Sequence, residues 1–127
     1  MQHSADRTGK STGIAAECLY VANLTVLPVI GFLILLWLYF SRITKAPALA
    51  SCHLKQTVSA SIWAGGLLIL INVIVLVIGG YNSPHAVAAL ILYIFTVHST
   101  LIILGVIGLS KALAGQKFKY PLIGGAV

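Results

Sequence analysis

GGYNSPH, residues 79–85, is the stretch on which the fold turns. It stands near the middle of a run of 55 residues, Gln56 to Ser110, that carries no charge when histidine is counted neutral; Lys55 and Lys111 close it off. As one helix that run would extend roughly 80 Å, against a hydrocarbon core of about 30 Å. It must fold back once. Gly-Gly, Asn-Ser and Pro84 all interrupt helix and favour a tight turn, so the reversal belongs here. Two spans follow, over residues 58–78 and 86–109. Inserting the first is favourable: residues 67–78 are Leu, Ile or Val with a single Asn. At the bilayer centre such residues contribute roughly −3 to −7 kcal/mol together, before the Asn penalty.

Working outward, Glu17 and Arg42 bracket a second uncharged run, residues 18–41, long enough for one more helix of about 20 residues. It begins too far into the chain, and lacks the small-x-small exit, for a cleaved leader. The composition agrees with a membrane protein: of 127 residues, 59% are hydrophobic and 8% charged, and the mean hydropathy is +1.02. The expected fold is all-α, an integral membrane protein of three transmembrane helices, residues 19–40, 58–78 and 86–109. A short cytoplasmic surface helix precedes the second, because Pro47 suits a first helical turn and residues 48–56 are good helix formers. Residues 1–16 read as a flexible tail, 17–114 as the bundle and 115–127 as an interfacial tail with alternating lysines and aromatics. Pro28, central in the first span, predicts a kink there.

The net charge of +6 invites a nucleic-acid reading, but the positive residues flank the spans and form no basic stripe. Counted as topology, three spans put Arg7 and Lys10 with the GGYNSPH turn. Arg42, Lys45, Lys55, Lys111, Lys117 and Lys119 fall on the other side. Six against two predicts a bacterial inner-membrane protein with its N-terminus outside and its C-terminus cytoplasmic. Cys18 and Cys52 then lie on opposite sides and cannot pair.

Few polar residues enter the spans. Ser61, Gly65 and Asn72 share one face of the second, and His98 and Gly105, with Gly108 beside them, one face of the third. Small residues allow close backbone approach, so these faces are expected to meet helices, with Asn72 level with Thr25. His98, at mid-span, is a functional candidate by position. A haem would want a second axial ligand or an open site, and a proton relay an intramembrane acid or second histidine. Neither is in the spans, so His98 reads as a neutral hydrogen-bonding residue. His53, Lys55 and Gln56 mark the cytoplasmic entry to the second span and read as interfacial. With Asp6 and Glu17 the only carboxylates, no catalytic set, metal cluster or cofactor motif is expected.

Two stretches carry a resemblance: His53-Leu54-Lys55-Gln56 after a Pro-containing connector, and KALAGQKFKYPLIG, residues 111–124. Together they resemble small bacterial membrane proteins of unknown function related to the twenty-kilodalton component of the chloroplast Tic import machinery. The chloroplast relatives have four spans, one more than counted here. The resemblance implies a helical membrane protein without established catalytic residues. The expected function is a non-catalytic accessory or assembly subunit of a membrane complex, whose partners are the lipid bilayer and other membrane subunits or further copies of itself. A translocon-like or small-solute transport component is the alternative by analogy, and a cofactor-binding subunit using His98 the third reading.

Overall fold

The computed structural model describes residues 2–124, with side chains from Gly9 onward. Its elements are α1 (Gln2–Thr25), α2 (Ile30–Arg42), α3 (Ala48–Gly65), α4 (Ile71–Val77) and α5 (Pro84–Leu113). A π-helical segment, Gly66–Leu70, joins α3 to α4, so Ala48–Val77 is one helix of 30 residues. It and α5, also 30 residues, are long and apolar enough to cross a membrane. Between them the chain reverses in a 3-10 turn, Gly80–Asn82, after Gly79 at φ +75°. The start of α5 has the expected parts: Ser83 Oγ accepts from the Ala86 N–H at 3.4 Å, and Pro84 occupies the first turn, where no N–H is needed. The π-segment widens the helix by one residue per turn and leaves carbonyls open. Tyr93 Oη donates to Leu67 O at 2.9 Å, and the Asn72 amide to Leu68 O.

The first apolar run does not form a span. Pro28 lacks the N–H that would continue the helix, and here the chain turns round where a kink was expected. Helix α2 runs back along α1: a Cβ on Gly31 would lie 2.9 Å from Asn23 Cα, and Leu35 and Leu38 share an apolar cluster with Ala16 and Leu54. The result is a helical hairpin. Its second arm has 13 residues, about 20 Å, too short to cross a 30 Å core. The expected three spans therefore reduce to two long helices and this hairpin. Residues 2–16, expected as a flexible tail, are helical and belong to α1.

From Val26 to Gly31 every amide N–H at the hairpin tip has a partner. Those of Val26 and Leu27 reach Ala22 O at 2.9 and 2.8 Å, that of Val29 reaches Asn23 Oδ1 at 3.0 Å, and those of Ile30 and Gly31 reach Pro28 O and Leu27 O at 2.8 Å. Pro28 has none. Val29 sits at φ +70°, a strained setting for a β-branched residue, and Asn23 holds it.

Helix α1 packs between α3 and α5, and its register is set by close approaches. Gly9 lies against Pro47, Gly13 against His53, and Tyr20 against Gly105. The tip residues Pro28 and Val29 line a cavity with Gly65 and His98, and His98 is midway along α5. One half of the molecule thus holds four helices, and the far half only α4 and the first part of α5. Lys10 and Lys117 line one groove beside Pro47, and Arg42 and Lys45 line the next. The N-terminal helix and the C-terminal segment are therefore at the same end. Three spans would instead separate Lys10 from Lys117. Cys18 and Cys52 follow to that end, since their neighbours Glu17 and His53 touch; both are free thiols.

Candidate functional site

The densest polar cluster lies inside that four-helix end. Glu17 of α1 and His53 and Gln56 of α3 are fully buried, and the C-terminal segment adds Tyr120, also fully buried. His53 Nε2 is 2.8 Å from Gln116 O, and because a carbonyl only accepts, Nε2 donates. His53 Nδ1 then faces Glu17 Oε1 at 2.6 Å. One labile proton lies between these two atoms, whether as imidazolium with carboxylate or as imidazole with carboxylic acid. The pair carries no net charge in either form, which is what allows its burial. Tyr120 Oη donates to Glu17 Oε2. Burial, and then the neighbouring Glu17 carboxylate, pushes the Tyr120 phenol well above its ordinary range, so it remains a donor.

The backbone of the C-terminal segment is tied down with equal care. Tyr120 N–H donates to Gln56 Oε1 at 3.0 Å, Ser59 Oγ to Ile123 O at 2.8 Å, and Cys52 Sγ to Phe118 O at 3.5 Å. The Tyr120 ring meets Tyr20 edge-on, with centroids 5.3 Å apart, and Tyr20 Oη donates to Leu101 O at 3.2 Å. Gly108 makes room for the cluster. A Cβ there would stand 2.6 Å from Glu17 Oε2 and 2.7 Å from Tyr120 Oη. These groups satisfy one another and are shut off from solvent. The arrangement latches α1, α3, α5 and the C-terminal segment together, and presents no open nucleophile or acid to a substrate.

Of the residues singled out in the sequence, His53 and Gln56 are in this cluster and not at an interface, while Lys55 is exposed. Glu17 and Tyr120 were missed. The signal for Glu17 was there: one of two carboxylates, at the mouth of an apolar run. Nothing local marks Tyr120. Gly105 and Gly108 both stand at close helix contacts, whereas a Cβ on Gly65 would meet nothing within 4 Å. Asn72 and Thr25 do not meet: Asn72 Oδ1 accepts from Tyr81 Oη at 3.0 Å and Thr25 Oγ1 donates to Val21 O at 2.8 Å.

Ser61 and His98 come together at the hairpin tip. They line a cavity of about 450 Å³ with Asn23, Pro28, Gly65 and Leu68. Ser61 Oγ is buried without a hydrogen-bond partner among the described residues. His98 is the one His, Cys, Asp or Glu in the lining, so the cavity offers a metal a single protein nitrogen. Among the described residues, no three such side chains converge as a metal site.

No curated protein and no solved structure matches the chain. A family model does match, over residues 10–127, and it corrects the resemblance drawn from His53–Gln56 and residues 111–124: these stretches do not mark a relative of the chloroplast Tic component. With nearly its whole length matched, the chain belongs to the MamF/MmsF family, the magnetosome magnetite crystal formation proteins.

Proposed function

We propose that this protein is a non-catalytic accessory component of the magnetosome membrane, one that influences crystal formation through the bilayer it occupies. Its membership in a crystal formation family supplies the process. The observation that carries the mode of action is the sealed cluster of Glu17, His53, Gln56 and Tyr120. Among the described residues, the carboxylate and its histidine partner are used in holding helices together. What the molecule exposes is apolar: Trp37 and Phe40 on α2, Ile69, Leu76 and Val77 on the second half of the long helix, Leu92 and Phe95 on α5. That surface fits lipid.

In this reading the two long helices cross the membrane and the α1–α2 hairpin is re-entrant, entering and leaving on one side. Irregular backbone at membrane depth requires its polar groups to be satisfied, and the amide N–H groups from Val26 to Gly31 are. The basic end faces the cytoplasm, and the neutral turn Gly79–His85 faces the crystal compartment. A turn with no carboxylate offers iron or a mineral surface little to bind, which favours action through the membrane over direct contact with the crystal.

The test is complementation in a magnetite-forming strain lacking this gene, with crystal size read by electron microscopy. Glu17→Gln keeps an acceptor for Tyr120 and a hydrogen-bonding partner for His53 but abolishes the acid. It should restore wild-type crystals at equal protein level in the membrane, as should His98→Gln. Loss of crystals with undiminished, folded Glu17→Gln protein would overturn the non-catalytic reading. The same result with His98→Gln would favour a bound cofactor.

A further inference from the structure

Beyond its place in crystal formation, we infer that this protein is a membrane wedge: it fills the leaflet on its basic side with twice the protein cross-section of the other, and so favours membranes that are convex on that side. The inference rests on where the hairpin stops. Its tip, Pro28–Val29, lies level with Gly65 and with His98, fourteen residues into α5 from Pro84. On the basic side of that level lie α1, α2, α3 and the second half of α5. On the other side only the helix through Leu68–Val77 and the first half of α5 continue, for about 20 Å. Four helices stand in one leaflet and two in the other.

The occupant of the space beyond the tip, and of the hairpin's outer face, is lipid. Val26, Val29, Ile30, Leu33, Trp37 and Phe40 project outward from the hairpin, each more than half exposed. Around the base of the same hairpin stand Lys10, Arg42, Lys45 and Lys117, where anionic headgroups lie. An apolar band ending in a basic rim matches one leaflet with its headgroups. The hairpin is also held rigidly enough to displace lipid: Gly31 is wedged on the Asn23 backbone, and the latch around Glu17 ties α1 to α3 and α5.

The test uses the full chain in giant vesicles of phosphatidylethanolamine and phosphatidylglycerol, from which narrow tubes are pulled outward. Two single-cysteine proteins are made with Cys18→Ala and Cys52→Ser, the latter keeping a donor to Phe118. One carries Lys117→Cys at the basic end and the other Asn82→Cys at the turn, both exposed positions. A membrane-impermeant dye added outside then labels only molecules with the chosen end outward. Basic-end-outward molecules should be enriched in the convex tubes about twofold over the parent vesicle, equivalent to about 0.4 kcal/mol of curvature preference. Turn-outward molecules should be depleted to a similar extent. Equal partition in both cases, or the same sign for both orientations, overturns the wedge. Photobleaching in two steps at low density also overturns it, since a second copy and not lipid would then fill the narrow half. Lys45→Cys replaces Lys117→Cys if that variant proves unstable, and carries the same expectation.

Discussion

Val29 is a branched residue at φ +70°, ψ −52°, the centre of a strained γ-turn closed by Ile30 N–H on Pro28 O, which costs about 1–3 kcal/mol relative to an ordinary backbone. Its amide would otherwise be left open at the deepest point of the hairpin, and Asn23 Oδ1 receives it at 3.0 Å. The two residues therefore have opposite roles. Val29 stores strain and Asn23 relieves an unsatisfied donor in apolar surroundings. Val29→Gly removes the strain; because the side chain is largely exposed, little packing is lost with it. The more flexible unfolded glycine chain takes back part of the gain, so the net stabilisation should be at most about 1 kcal/mol. Asn23→Ala leaves the Val29 N–H without a partner and should destabilise by about 1–3 kcal/mol. Denaturant titration in detergent reads both. A neutral Asn23→Ala would mean that the tip is bonded by water, and so is not at membrane depth.

Glycines in the long helices divide by what surrounds them. Alanine is favoured over glycine in a helix by about 1 kcal/mol, so in open surroundings the exchange stabilises. Gly65→Ala, with nothing within 4 Å of the new Cβ, should gain up to that amount. Gly105→Ala places a methyl 2.8 Å from the Tyr20 ring and from Val21 Cγ2, and overpacking of about 1–3 kcal/mol outweighs the propensity gain. Thermal unfolding of the two variants should shift in opposite directions, and a shift of the same sign would mean that α1 is not seated on α5. Both glycines looked alike in the sequence, as small residues on apolar helix faces. The reversal at residues 79–85 was legible because Gly, Asn, Ser and Pro act locally and the uncharged run was too long for one helix. The hairpin was not legible. A kinked span and a hairpin ask the same of residues 18–41, a Pro among apolar residues without charge, and what separates them is the fit of Gly31 on Asn23 and the Asn23 bond to Val29. The site was half legible for the same reason. His53 and Gln56 stood out as polar residues at a helix entry, but their partners are far along the chain; Tyr120 is 64 residues from Gln56 and 103 from Glu17. No local pattern encodes such pairs.

For the whole molecule, the hairpin alters the charge count that fixes orientation. With three spans, the eight Lys and Arg residues divide six to two. With α1 and α2 entering and leaving at one end, all eight lie on the same side: Arg7 and Lys10 on α1, Arg42 and Lys45 after α2, Lys55 early in α3, and Lys111, Lys117 and Lys119 at the end of α5 and beyond. The other side has Tyr81, Asn82, Ser83 and His85 and no Lys or Arg. A weak topological bias becomes a complete one, and the positive-inside rule then predicts both ends of the described chain in the cytoplasm. Single-cysteine reporters at Lys10→Cys, Asn82→Cys and Lys117→Cys, in a chain without Cys18 and Cys52, decide the matter in a bacterium that forms no magnetosomes. An impermeant maleimide added to intact cells should label Asn82→Cys alone; the other two should react only after the membrane is permeabilised. Labelling of Lys10→Cys with Lys117→Cys protected would restore the three-span arrangement and dissolve the hairpin. Labelling of both, with Asn82→Cys protected, would keep the hairpin and invert the protein, turning its wide end toward the crystal.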